Sequence, residues 1–67
     1  IIEHGVKIGN NCHVSTRAVI NGDVEIKDNT FIGSGAVIKE GIKIGKNCFI
    51  GMGQSVTVNL KDNSILK

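Results

Sequence analysis

The chain has 67 residues and therefore forms at most one small domain. With 40% hydrophobic and 21% charged residues it is too apolar for a disordered tail, and no apolar run is long enough to span a membrane. A net charge of +2, no Trp or Tyr and only two Phe leave no stacking platform for bases, so we expect neither a nucleic acid nor a membrane as partner.

The repeat is the main signal along the chain, because aliphatic residues stand at every sixth position. These anchors are Ile2, Ile8, Val14, Ile20, Ile26, Ile32, Ile38, Ile44, Ile50 and Val56. Four places after the anchors come mostly small or aliphatic residues, namely Val6, Cys12, Ala18, Val24, Thr30, Ala36, Ile42 and Cys48. One large and one small inward position predict a short strand and a turn, and three such units make a triangular coil of about 18 residues.

Residues one coil apart support this register. Asn11, Asn29 and Asn47 form one column, and Gly35 and Gly53 form another. Asn and Gly tolerate the left-handed backbone that a sharp corner needs. The nine Gly, and an excess of Ile and Val over Leu, also favour strands and turns over helices.

Two further columns are predicted on the outer surface. Lys7, Glu25 and Lys43 alternate in sign, which avoids like-charge neighbours. His13 begins the second column, in which Phe31 lies under Phe49. After Val56 the register changes, and we expect the pattern to resume at Leu60, Ser64 and Leu66 after four inserted residues.

This spacing resembles that of the hexapeptide-repeat acyltransferases. The resemblance implies an all-β fold, a left-handed parallel β-helix, which is an exception to the rule that crossovers are right-handed. It covers nearly the whole chain, so we expect residues 1–67 to form a single β-helix domain.

The N-terminal part is most similar to the sialic-acid O-acetyltransferase and nucleotide-sugar N-acetyltransferase family. The motifs that carry this similarity are Ile2-Glu3-His4-Gly5-Val6-Lys7-Ile8-Gly9, His13-Val14-Ser15 and Asn21-Gly22-Asp23-Val24. The resemblance implies a cytoplasmic acetyltransferase of polysaccharide biosynthesis, with acetyl-CoA as co-substrate, a sugar acceptor and homotrimeric assembly. It also implies that an upstream sugar-binding domain and a C-terminal cap are absent from these residues.

His4 matches the catalytic base of that family, and histidine is the natural general base near neutral pH. The alternative is a solvated histidine in a turn. The family usually has an acidic residue directly after this histidine, but here the position is Gly5. We therefore expect an acid of another subunit or a backbone carbonyl to orient the imidazole.

The resemblance assigns acetyl-CoA binding to four other positions. His13 matches a histidine that contacts the acetyl group, Gly22 a glycine near the reacting centre, and Ser34 and Met52 positions along the donor groove. Each has a plain alternative: His13 as a corner residue stacked on an aromatic ring, and the other three as ordinary turn residues. Because nine residues separate His4 from His13, we expect them to meet only across a subunit boundary.

Cys12 and Cys48 belong to one inward column but lie about 10 Å apart by the stacking distance, too far for a disulfide. We therefore expect two buried thiols in a reducing compartment. Only two histidines are present, so no metal site is expected, and a zinc-dependent carbonic anhydrase of this fold would lack its third ligand. The main alternative to the enzyme is a non-catalytic β-helix that serves as a trimerising scaffold.

Overall fold

The computed structural model describes residues 1–67 and contains ten short strands and no helix. The strands are β1 (Lys7–Ile8), β2 (His13–Val14), β3 (Val19–Ile20), β4 (Glu25–Ile26), β5 (Phe31–Ile32), β6 (Val37–Ile38), β7 (Lys43–Ile44), β8 (Phe49–Ile50), β9 (Ser55–Val56) and β10 (Ile65–Leu66). Each strand ends on an inward apolar residue of the repeat, because only two residues of each unit are extended and the others turn the chain. The predicted all-β class is confirmed.

Three parallel sheets form the faces of a prism. We call them the charged face (β1, β4, β7), the aromatic face (β2, β5, β8, β10) and the valine face (β3, β6, β9). Lys7 pairs with Glu25 on the charged face, and Phe31 pairs with Phe49 on the aromatic face. About 18 residues make one turn, and the solenoid of about 3 turns is consistent with a left-handed β-helix.

Left-handed residues form the three corners of each coil. The asparagine corner joins the charged and aromatic faces and contains Asn11, Asn29, Asn47 and Asn63. The glycine corner joins the aromatic and valine faces and contains Arg17, Gly35 and Gly53. The histidine corner joins the valine and charged faces and contains Gly5, Asp23 and Gly41, next to His4. The predicted Asn and Gly columns are therefore confirmed.

The core is a stack of anchors that fills the prism. Six of them are almost completely inaccessible to solvent: Ile20, Ile26, Ile32, Ile38, Ile44 and Ile50. Burial of one such side chain contributes roughly 1.5–3 kcal/mol, so this column is the main stabilising feature. The smaller inward residues, such as Ala18, Ala36 and Cys48, are buried between the anchors. Both cysteines are free, but the expectation of two buried thiols is wrong for Cys12, which is only half-buried because its coil has a neighbouring coil on one side only.

The buried threonine of the small column is fully hydrogen-bonded. Thr30 is 1% exposed, and its Oγ1 donates to the carbonyl oxygen of Gly45 at 2.8 Å. The same oxygen accepts a hydrogen bond from the backbone N–H of Cys48 at 3.1 Å. One hydroxyl thus joins neighbouring coils inside the core without leaving a polar group unpaired.

The first coil departs from the predicted burial. The repeat predicts inward positions for Ile8 and Val14 as for the other anchors, yet Ile8 is 38% exposed and Val14 only half-buried. Ile2 is 53% exposed. The reason is that this coil has a neighbouring coil on one side only, which the six-residue period does not reveal.

The last coil is shorter than the others. The pattern resumes as predicted, because Leu60 pairs with Ile44 and Leu66 pairs with Ile50. Residues that stack between the last coil and the coil before it are 16 apart in sequence, as for Lys46 and Asp62. Residues that stack between earlier coils are 18 apart, as for Thr30 and Cys48. The expectation of four inserted residues is therefore wrong, since two residues are missing instead. Asn59 compensates locally by accepting a hydrogen bond from the N–H of Lys43 with its side chain, at 2.9 Å.

The outer columns differ sharply between faces. The charged face presents Lys7, Glu25 and Lys43 in register. The aromatic face presents a stacked ladder in which the ring centroids of His13 and Phe31 lie 5.1 Å apart and those of Phe31 and Phe49 5.0 Å apart. Both predicted columns are confirmed, and His13 lies in a strand rather than at a corner.

Candidate active site

His4 lies in the turn of the histidine corner, directly below the equivalent residues of the next two coils. The backbone N–H of Asp23 donates to the carbonyl oxygen of His4 at 3.1 Å, and that of Gly41 donates to the carbonyl oxygen of Gly22 at 3.0 Å. These bonds stack the corners so that His4, Gly22 and Glu40 form one outward column. His4 is exposed, and its imidazole makes none of the side-chain hydrogen bonds of the chain.

Gly22 leaves a gap in this column immediately next to the imidazole. A Cβ atom placed on Gly22 would lie 3.5 Å from Cε1 of His4 and 3.6 Å from Nε2. The space that a side chain would occupy is therefore open and borders the ring. The backbone N–H of Gly22 makes no hydrogen bond within the chain, so it is free to donate to a bound group.

The gap belongs to a polar cleft of about 330 Å³. The cleft is lined by His4, Asn21, Gly22, Asp23, Glu40 and Gly41, with no hydrophobic residue and no Lys or Arg. Two carboxylates thus accompany one imidazole. Such a surface suits a small polar ligand that donates hydrogen bonds or carries positive charge.

The carboxylate of Asp23 occupies the space that a side chain at Gly5 would fill. Gly5 has φ +73°, and a Cβ atom there would collide with Oδ1 of Asp23. The carboxylates of Asp23 and Glu40, from the next two coils of the same chain, line the cleft with His4, but neither is hydrogen-bonded to the imidazole. Spacing in the sequence could have revealed both Asp23 and Glu40, since each lies a whole number of coils above Gly5 or His4.

His13 lies far round the prism from His4, on the outer surface of the aromatic face. Its ring is stacked on Phe31 with an angle of 6° between the planes, which is the plain alternative foreseen for this residue. Stacking leaves the ring edge exposed and does not preclude contact with a ligand. One chain alone does not bring the two histidines together.

Ser34 and Met52 stack at the glycine corner, as the repeat predicts. The N–H of Gly53 donates to the carbonyl oxygen of Ser34 at 2.9 Å, and both side chains at positions 34 and 52 are exposed. This corner directly follows the aromatic face, so His13, Ser34 and Met52 share one side of the prism. The valine face separates them from the histidine corner with His4 and Gly22.

A second cleft, of about 250 Å³, lies along the charged face. Three lysines line it, Lys7, Lys27 and Lys46, together with Glu25 and Asp28. The mixed charges indicate an ordinary solvated surface rather than a clamp for phosphate. No group of three or more His, Cys, Asp or Glu residues could hold a metal ion, and the chain forms no helix of the length and apolarity that crossing a membrane requires.

The fold and the six-residue period define a β-helix built of hexapeptide repeats. A family model described as bacterial transferase hexapeptide (six repeats) matches residues 23–53. A second model, hexapeptide repeat of succinyl-transferase, matches residues 1–21 and 44–67, more than half of the chain. The chain therefore belongs to the hexapeptide-repeat family of transferases. No curated protein and no solved structure matches it.

Proposed function

We propose that this chain is the β-helix of an acetyl-CoA-dependent acetyltransferase that acts on a sugar hydroxyl or amine. The observation that carries the proposal is the polar cleft in which the unpaired imidazole of His4 borders the gap at Gly22. Membership in a family of transferase repeats supports acyl transfer as the reaction class. The similarity of the N-terminal motifs to sugar acetyltransferases supports the choice of acetyl group and acceptor.

His4 is the general base of the proposed reaction. Attack of a hydroxyl or amine on a thioester carbonyl requires removal of a proton from the nucleophile, and histidine performs this near neutral pH. The negative oxygen of the tetrahedral intermediate requires a hydrogen-bond donor. In this proposal the donor is the N–H of Gly22, which makes no hydrogen bond within the chain and belongs to the residue that borders the imidazole.

Acetyl-CoA binding is assigned to the other side of the prism. In this proposal His13 contacts the acetyl group, and the pantetheine arm follows Ser34 and Met52 along the glycine corner. The stacking of these two residues provides a continuous exposed edge for an extended ligand. Because His4 lies across the valine face, a complete site needs the histidine corner of one subunit and the aromatic face of another.

The outer surface supports a homotrimer with such shared sites. Val37 on the valine face and Phe49 on the aromatic face are exposed by 40% and 39%, and Met52 between them by 78%. Both of these faces thus carry exposed apolar side chains, whereas the charged face carries lysines and a glutamate. In the proposed trimer, the aromatic face of one subunit contacts the next subunit beside its histidine corner, which removes exposed apolar side chains from water and leaves the glycine corner open to acetyl-CoA.

The alternative function is a trimerising scaffold without catalysis. The same apolar faces favour it, because they account for assembly without any role for His4. In that case acetyl-CoA does not bind, and the polar cleft is an ordinary hydrated corner.

The test is transfer of acetyl groups from acetyl-CoA to amino sugars and to neutral sugars. Release of the free thiol of coenzyme A measures the rate. His4→Ala should lower kcat by roughly 10²–10⁴-fold, while trimer formation and acetyl-CoA affinity remain nearly unchanged. Glu3→Ala is the matched control, since Glu3 precedes His4 but does not line the cleft. Full activity of a trimeric His4→Ala variant would end the assignment of the base, and absence of acetyl-CoA binding to the unmodified chain would favour the scaffold.

A further inference from the structure

In the outward column of the histidine corner, a basic residue lies in the first coil and an acidic residue in the third, and the residue between them has no side chain. His4, Gly22 and Glu40 occupy equivalent positions in successive coils, and only the middle one lacks a side chain. We propose that this gap receives the acceptor's amine and that Glu40 is the residue that selects an amine over a hydroxyl. The inference rests on the proposed function and adds the acceptor class and a specificity-determining residue.

The dimensions of the gap suit a small functional group. Neighbouring coils are separated by about 4.8 Å, so the backbones at His4 and Glu40 are roughly 10 Å apart. The two side chains face the same cleft from opposite ends. A primary amine placed in the gap can therefore approach the imidazole on one side and the carboxylate on the other.

The charge of the cleft favours an ammonium ion over a neutral hydroxyl. Asp23 and Glu40 are its two carboxylates, and no Lys or Arg lines it. Lys39 and Lys43, the lysines nearest to Glu40 in the sequence, are not among the residues that line the cleft. A cation that enters this corner gains from both carboxylates, whereas a neutral sugar hydroxyl makes only hydrogen bonds.

The residues of the corner also accommodate the chemistry of amide formation. The acceptor arrives as an ammonium ion and first loses one proton to water. Its nitrogen then forms a bond to the thioester carbonyl carbon, and His4 takes the second proton. The carbon–sulfur bond breaks, the leaving thiolate receives the proton from His4, and the products are an N-acetyl amide and a free thiol.

Nuclear magnetic resonance on the unmodified chain tests the binding step without requiring turnover, with glucosamine and glucose as the two probes. Glucosamine should shift the ring signals of His4 and the amide signal of Gly22, and glucose should bind at least several-fold more weakly. Glu40→Gln should weaken glucosamine binding by about tenfold and leave glucose binding unchanged, because it removes a charged partner but preserves shape. Glu3→Gln, with the same change of charge outside the cleft, should have little effect.

Gly22→Ala provides a second perturbation that the fold tolerates. Gly22 is not in the left-handed region, and the added methyl would meet the imidazole at ordinary contact distance. The methyl should fill the gap and reduce binding of both sugars. Equal responses to glucose and glucosamine, no response to either, or an unchanged affinity in Glu40→Gln would each overturn the inference.

Thiol release from acetyl-CoA in the same samples separates this inference from the proposed function. Glucosamine binding that depends on Glu40, without any acetyl transfer, would support the amine site at Gly22 and refute the proposed transferase function. Acetyl transfer that requires His4, but does not change in Glu40→Gln and is equally fast for glucose and glucosamine, would refute the amine site and support the transferase function.

Discussion

Replacement of Thr30 by valine tests how the interior of the prism is held together. The change preserves the shape of the side chain but removes the hydroxyl that bonds Gly45 and Cys48. Neither the carbonyl oxygen of Gly45 nor the N–H of Cys48 has another partner in the chain. Each buried group left unpaired costs about 1–3 kcal/mol, and the extra apolar methyl returns about 0.8 kcal/mol. We therefore expect Thr30→Val to lower the free energy of unfolding by roughly 1–5 kcal/mol, with about 3 kcal/mol at the centre of that range.

Thr30→Ser is the matched control because it keeps both hydrogen bonds and loses only one methyl group. Its expected cost is about 1 kcal/mol. Urea unfolding followed by far-ultraviolet circular dichroism, at one fixed chain concentration, gives both values. A valine variant as stable as the serine variant would show that the hydroxyl does not stabilise the stack.

Three further predictions concern a corner, the assembly and the donor. Arg17→Gly should raise the free energy of unfolding by about 0.5–1 kcal/mol, because Arg17 has φ 63° and glycine relieves the strain of this left-handed backbone. This gain exceeds the cost of the greater conformational freedom that glycine gives the unfolded chain. Asn29→Gly, at an asparagine that tolerates the left-handed region, should change the free energy little. Phe49→Glu should dissociate the proposed trimer in sedimentation experiments, whereas Lys27→Glu, at an exposed position of the charged-face cleft, should not. A trimeric Phe49→Glu variant would exclude the aromatic face as an interface. His13→Ala should weaken acetyl-CoA binding in calorimetry as well as lower the rate, and an unchanged affinity would remove His13 from the donor site.

The fold was predictable because the repeat encodes it directly. The inward positions of Ile26 and Ile32 follow from a period that contains one strand and one turn, and both are buried. The exposure of Ile8 was not predictable, since the period is the same in coils with one neighbour and coils with two. The shortened last coil was also missed, because Leu60 shows where an anchor resumes but not whether residues have been added or removed.

The candidate site was predictable only in part. The resemblance named His4 and Gly22 separately, and their spacing of one coil explains why the structure brings them together. The acids were missed although each lies a whole number of coils above Gly5 or His4, because the period alone does not show that these side chains project into one cleft. Asp23 and Glu40 became visible as partners only when the structure showed one polar cleft at the histidine corner.

We propose that His4 of one subunit and His13 of another complete each active site. The most direct measurement is the acetyl transfer rate of trimers reassembled from an equal mixture of His4→Ala and His13→Ala chains. If the sites are shared, random assembly of a cyclic trimer restores both histidines in about one quarter of the active sites. The mixture should therefore regain about one quarter of the original activity, although each variant alone is nearly inactive. A mixture no more active than the average of the two separate variants would contradict the shared site.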